Sequence, residues 1–211
     1  MESAGWTGGL FRMCEWITRL AFVNGLWLLF TVVGLGLFGF APATVAMFSI
    51  VRKWIMGEQS FSVYSTFWTI YKKEFRKANL LFGLVLLTLV VLYVNYVIIH
   101  AMTGALYYVL LICFSLFCLV VAVVLLYIFP IYVHFEGSLL HYFRSAILVG
   151  TSFPLRTVVM AVTAFTAVLL GLLLPGVALL FFGSGLSFAL MFISYSIFST
   201  IQPATGSTTL T

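Results

Sequence analysis

The side chains that could carry chemistry in this chain are few. Its five acidic residues are Glu2, Glu15, Glu58, Glu74 and Glu136, with no aspartate; its histidines are His100, His134 and His141. His134 and Glu136 form a His-x-Glu pair with His141 following, a set that could offer zinc ligands. The HExxH spacing that puts two histidines on one helical face beside a general base is absent. The plainer reading is three polar residues at a membrane interface. Cys14, Cys113 and Cys118 show no CxxC spacing and no disulfide framework. Cys14 could take a palmitoyl group where that chemistry exists, and free thiols are the simpler reading. No nucleophile stands beside a base, and no P-loop or ATPase-sized cytoplasmic loop occurs. The glycines of Val33-Gly34-Leu35-Gly36-Leu37-Phe38-Gly39 lack the preceding strand and acidic follower of a dinucleotide loop. No enzyme, cofactor or metal is expected.

What must position these residues is a membrane scaffold. Hydrophobic residues make up 64% of the 211 and charged residues 7%, and the mean hydropathy is +1.21. A soluble surface carries roughly 25–35% charged residues, so this composition is that of an integral membrane protein. No charged residue occurs between Arg19 and Arg52, between Lys77 and Glu136, or after Arg156. A spanning helix needs about 20 apolar residues. The middle gap therefore holds two spans, about Leu80–His100 and Ala105–Tyr132, turning at Met102-Thr103-Gly104. The last gap holds two more, about Thr157–Leu174 and Val177–Ile201, with the turn at Pro175-Gly176 or at Gly183-Ser184-Gly185. Continuous apolar runs, rather than alternating ones, exclude a β-barrel.

The first gap, Leu20–Val51, would be about 48 Å as one helix at ~1.5 Å per residue. That is long for one span and short for two. Gly34, Gly36, Gly39 and Pro42 favour two short helices, about Leu20–Leu37 and Ala43–Ile55. With that hairpin, all ten basic residues fall on one side, as the positive-inside rule requires. The fold class is thus all-α: a polytopic bundle of six spans in three hairpins, multi-pass in a cell membrane, both termini cytoplasmic. The alternative has five spans, with 43–55 re-entrant or interfacial. The single domain divides into a first hairpin (20–55), an amphipathic interfacial helix (64–78), a second hairpin (80–132), a cytoplasmic segment (133–156), a third hairpin (157–201) and a polar tail (202–211). Ala41-Pro42-Ala43 has the form of a signal-cleavage site, but the apolar stretch before it exceeds the ~7–15 residues of a signal peptide, and the hairpin is expected to be retained.

The stretch Phe67-Trp68-Thr69-Ile70-Tyr71-Lys72-Lys73-Glu74-Phe75-Arg76-Lys77 carries four of the ten basic residues. In this setting it binds no nucleic acid. Phe67, Tyr71 and Phe75 recur at i, i+4, i+8 and share one face, with Lys72, Lys73, Arg76 and Lys77 on the rest. The expectation is a helix lying in the interface, rings in the acyl boundary and cations toward anionic headgroups of the bilayer. The same surface, Trp68 included, could dock a cytoplasmic partner. Aromatic-basic segments also precede the other pairs, at Phe11–Arg19 and His141–Ala146, which suggests a threefold hairpin plan. Asn24, Asn95 and His100 are candidates for a polar path between helices; packing is the plainer role of the amides.

Asn24 and Trp27, the Gly39-Phe40-Ala41-Pro42-Ala43-Thr44 break, Arg52-Lys53-Trp54, and Phe67-Trp68 through Tyr71 and Phe75 to Lys77-Ala78-Asn79 occur in the order and spacing of the YesL family of bacterial membrane proteins. The chain resembles that family over about Phe11–Leu86, and beyond it by hydropathy alone. The resemblance implies no catalytic residues, since the family has no assigned function. Its gene settings imply carbohydrate utilisation, often beside permease subunits of sugar ABC importers. The expected function is an accessory or scaffold component of oligosaccharide uptake acting with such permeases. The alternative is a small stand-alone transporter or channel, whose 18% aromatic content would suit sugar stacking.

Overall fold

The computed structural model describes residues 6–201. These form seven α-helices: α1 (Trp6–Val33), α2 (Leu37–Ile55), α3 (Val63–His100), α4 (Ala105–His134), α5 (Leu139–Ser152), α6 (Pro154–Leu173) and α7 (Pro175–Ile201). No strand occurs among the described residues. The fold is an all-α polytopic bundle. Five helices, α1, α3, α4, α6 and α7, are long and apolar enough to cross a membrane. The polar tail at 202–211 lies outside the described residues.

The exception, α2, sits at the centre. Twelve of its 19 residues are buried, from Gly39 to Trp54, so it does not lie along an interface. It runs antiparallel to α1, with Trp16 beside Trp54 at 5.9 Å and Trp27 Nε1 donating to Thr44 Oγ1 at 3.0 Å. Its buried run Ala41-Pro42-Ala43-Thr44-Val45-Ala46 is small-residued, which lets neighbouring backbones come close where lipid supplies no hydrophobic drive to pack. The helix begins at Leu37, not at Ala43. Pro42 deprives it of one bond to the Phe38 carbonyl and the helix continues past it.

The α1–α2 turn is Gly34-Leu35-Gly36. Leu35 and Gly36 have left-handed φ of 60° and 73°, a conformation glycine takes freely and leucine only under constraint. A Cβ at Gly39 would stand 2.5 and 2.6 Å from the Thr31 and Phe30 carbonyl oxygens, and one at Gly34 would collide with the Gly39 Cα. The tip exposes Val32, Val33, Leu35, Leu37 and Phe38, all apolar. Its amides are satisfied within the turn, Gly34 by Phe30 O, Gly36 by Thr31 O and Phe40 by Gly36 O.

The expected interfacial helix 64–78 is not separate. It is the first half of α3, which continues unbroken to His100. No glycine or proline stands between Val63 and Phe82 to end it. Its ring face is real, but it meets protein rather than lipid. Phe67 is 0% exposed and Tyr71 5%, their rings 5.2 and 5.1 Å from that of Phe30, and the Tyr71 hydroxyl donates to the Phe30 carbonyl at 3.2 Å. Phe75 packs edge-on against Tyr71. Beyond Leu81, α3 buries only Ile99, and α4 buries nothing before Val124. The outer halves of this hairpin therefore stand clear of the bundle.

The segment expected as a cytoplasmic connection, 133–156, contains α5. It docks on α4 through Tyr142, Ala146, Val149 and Gly150; a Cβ at Gly150 would collide with Val123. Helices α6 and α7 form the last hairpin, with Leu174 between them and Pro175 opening α7, where its missing N–H costs nothing. Gly183-Ser184-Gly185 lies inside α7. Arg156 Nη1 donates to Ser196 Oγ at 2.6 Å and Ser194 Oγ approaches Met160 Sδ, which fixes the antiparallel register.

Replacing Gly39 by Val should cost about 3 kcal/mol or more, because the new methyls meet backbone oxygens that cannot move aside. Gly25→Val, where a Cβ meets nothing within 4 Å, should change stability by less than about 0.5 kcal/mol. Thermal unfolding in detergent, followed by circular dichroism, separates the two.

Candidate functional site: a basic cleft at one end of the bundle

The helix register brings six charged side chains together at one end. The last turn of α2 delivers Arg52 and Lys53. The early turns of α3 deliver Lys73, Glu74 and Lys77. The end of α4 delivers Tyr132 and His134, the α4–α5 connection Glu136 and Gly137, and α5 Tyr142. Together they line an open cleft of about 760 Å³.

Its walls are held by specific bonds. Tyr132 donates to Glu74 Oε2 at 2.7 Å. Lys77 Nζ donates to the Gly137 carbonyl at 3.1 Å and to the Tyr142 hydroxyl oxygen at 2.9 Å. It also lies 5.3 and 5.0 Å from the Tyr132 and Tyr142 ring centroids, close enough for cation–π attraction. Tyr142, 1% exposed, further accepts from the Gly137 amide at 3.1 Å. Arg52 Nε stands 3.3 Å from His134 Nδ1. A guanidinium only donates, so Nδ1 is the acceptor and His134 is neutral with its proton on Nε2. Lys53 pairs with Glu58 at 2.7 Å. Among the described residues the other ion pair is Arg19–Glu15, so Arg52, Lys73 and Lys77 have no carboxylate within ion-pair reach.

The basic cluster read from sequence is thus divided. Lys73 and Lys77 face the cleft. Lys72 and Arg76 are exposed outside it, Lys72 lying 4.7 Å over the Trp68 ring. Phe67 and Tyr71 are buried and Phe75 partly so, which leaves Trp68, Lys72, Lys73 and Arg76 as the exposed members of the set. Sequence reasoning missed Arg52, Tyr132 and Tyr142. Arg52 was visible as a helix end, but nothing in the sequence ties it to a lysine on α3 or a tyrosine on α5.

Asn24, Asn95 and His100 are not brought together. Asn24, 1% exposed, clasps α7: its Nδ2 donates to Leu179 O at 2.8 Å and its Oδ1 accepts from the Ser184 amide at 3.0 Å. Gly183 leaves room for that oxygen, since a Cβ there would lie 2.9 Å from it. Asn95 is exposed on α3 and bonds to Val91 O of its own helix. His100 is exposed at the far end of α3, against Tyr96. His141 lies exposed on α5 near Ser145, away from the His134–Arg52 contact. Among the described residues no three His, Cys, Asp or Glu side chains gather as a metal centre would need. Cys14, Cys113 and Cys118 are free thiols.

Asn24→Ala should destabilise the protein by about 1–3 kcal/mol, because two α7 backbone groups lose their partner in a water-poor interior. Asn95→Ala should have an effect below about 0.5 kcal/mol. The comparison, made by thermal unfolding of the two variants, distinguishes a structural amide from one that a polar path would use.

Residues 20–96 match the family described as "Protein of unknown function, DUF624". The uncharacterized protein YteU of Bacillus subtilis (strain 168) is 35% identical over 206 residues, covering 98% of this chain and 92% of that protein. YesV of the same organism is 39% identical over 170 residues, covering 81% and 82%. YesL of the same organism is 34% identical over 194 residues, covering 92% and 91%. No solved structure matches the chain. The likeness therefore extends well past the N-terminal motifs into the hairpins that hydropathy alone had outlined, and the chain belongs to the YesL family.

Proposed function

We propose that the protein is an accessory or scaffold component of carbohydrate uptake in a bacterial cell membrane, acting beside the permease subunits of a sugar ABC importer. The carbohydrate link comes from the gene settings implied by family membership. The observation that favours a scaffold over a conduit is how the polar groups are used. Every buried polar side-chain atom among the described residues has a hydrogen-bond partner within the protein. Asn24 is committed to α7, and Ser184, Ser187 and Ser194 are committed to neighbours. A solute crossing the bundle would need unspent polar groups at mid-depth.

In this reading both termini and the cleft face the cytoplasm, where basic residues accumulate. The exposed cations Lys72, Arg76 and Arg144 contact the partner, with Trp68 beside them. The outer halves of α3 and α4, which bury almost nothing in the bundle, lie among lipid or against permease helices. No catalytic step is assigned.

The test is a mild-detergent affinity purification from the native host grown on plant polysaccharide, read by mass spectrometry. Stoichiometric sugar-permease subunits are expected, reduced severalfold when Lys72, Arg76 and Arg144 are all changed to Gln. Recovery of the protein alone, as monomer or homo-oligomer, would overturn the role.

A further inference from the structure

We propose that the cleft between α2, α3 and the α4–α5 connection is a saturable site for one phosphate ester. Four cations line it, Arg52, Lys53, Lys73 and Lys77, against two carboxylates, Glu74 and Glu136. Lys53 is taken by Glu58, and Glu74 accepts the Tyr132 hydroxyl. Glu74 keeps its charge in that bond, so Arg52, Lys73 and Lys77 face two carboxylates and leave one net positive charge in a partly enclosed space.

The donors are also held in place before any ligand arrives. Lys77 is fixed by Gly137 O, the Tyr142 hydroxyl and two ring faces. Arg52 is fixed through Nε to His134, which leaves the paired Nη donors that match a phosphate. The Tyr142 oxygen accepts from Lys77 and from the Gly137 amide, so its own proton is available to donate. Glu136 is exposed and can accept from a hydroxyl on the alcohol side of the ester.

Depth names the ligand class. Lys77 and Glu136 bound the charge-free run that contains the outer part of α3 and nearly all of α4. The cleft therefore sits where the hydrocarbon ends and headgroup phosphates lie. A lipid headgroup and a soluble phosphate compound share this chemistry. The site differs from a diffuse basic surface, because Lys72 and Arg76, as basic as their neighbours, do not line it. It does not depend on the importer role: it concerns the purified chain alone.

The experiment is native mass spectrometry of the full-length protein in phosphate-free maltoside micelles, titrated with phosphatidylglycerol. Binding should saturate at one lipid per chain. Affinity should fall by at least about tenfold in Arg52→Gln and in Lys73→Gln, and stay unchanged in Lys72→Gln and Arg76→Gln. Lys73 is exposed, so its loss leaves the fold intact and the result readable. Competition by glycerol 3-phosphate or inorganic phosphate would support the site and assign it to soluble phosphates; no competition would support it and assign it to lipid. Binding that never saturates, that weakens equally in Lys72→Gln and Lys73→Gln, or that survives both cleft variants would overturn it.

Discussion

The close approach of α1 and α2 at Gly34 and Gly39 is the contact on which the rest of the bundle depends. In lipid, helices gain little from hiding apolar surface, so association rests on packing at short range. Two glycines let the chain reverse within three residues and set α2 directly beside α1. That places Phe30 under the rings of α3, Trp27 against Thr44 and Asn24 against α7. A wider turn would part each of these. With α2 fixed at the centre, Arg52 arrives at the end where α3 and α4 bring Lys73, Lys77 and His134.

The result is a molecule with two unlike ends. One carries bonded charges and an open cleft. The other, at the α3–α4 tip, is aromatic around His100. Between them the polar side chains close on one another or on backbone. This asymmetry suits a protein anchored in a membrane and read from one side. Lys77 illustrates how the basic end is joined: a residue of the spanning helix α3 ties α5 and the α4–α5 connection through one ammonium group.

Much of this architecture was legible in the sequence. The charge gaps located the spans because a charge in hydrocarbon is costly. The sequence left the last turn open between Pro175-Gly176 and Gly183-Ser184-Gly185; the structure opens α7 at Pro175, as suits proline at the first position of a helix. The i, i+4, i+8 spacing of Phe67, Tyr71 and Phe75 gave their shared face. Periodicity cannot say what a face meets, and the presence of Phe30 opposite decided for protein over lipid. Pro42 misplaced the start of α2, because a lone proline removes one bond without ending a membrane helix. Asn24 and Asn95 look alike in sequence; only the packing of α7 separates a clasp from an exposed amide. The cleft was legible only in fragments, since its residues come from four separate segments.

The central claim is that the polar groups of this bundle serve its own structure and its basic end, and do not form a path across it. Uptake of radiolabelled oligosaccharides into liposomes containing this protein alone tests that claim most directly. The account predicts uptake equal to that of protein-free vesicles. Saturable uptake above that level would contradict it.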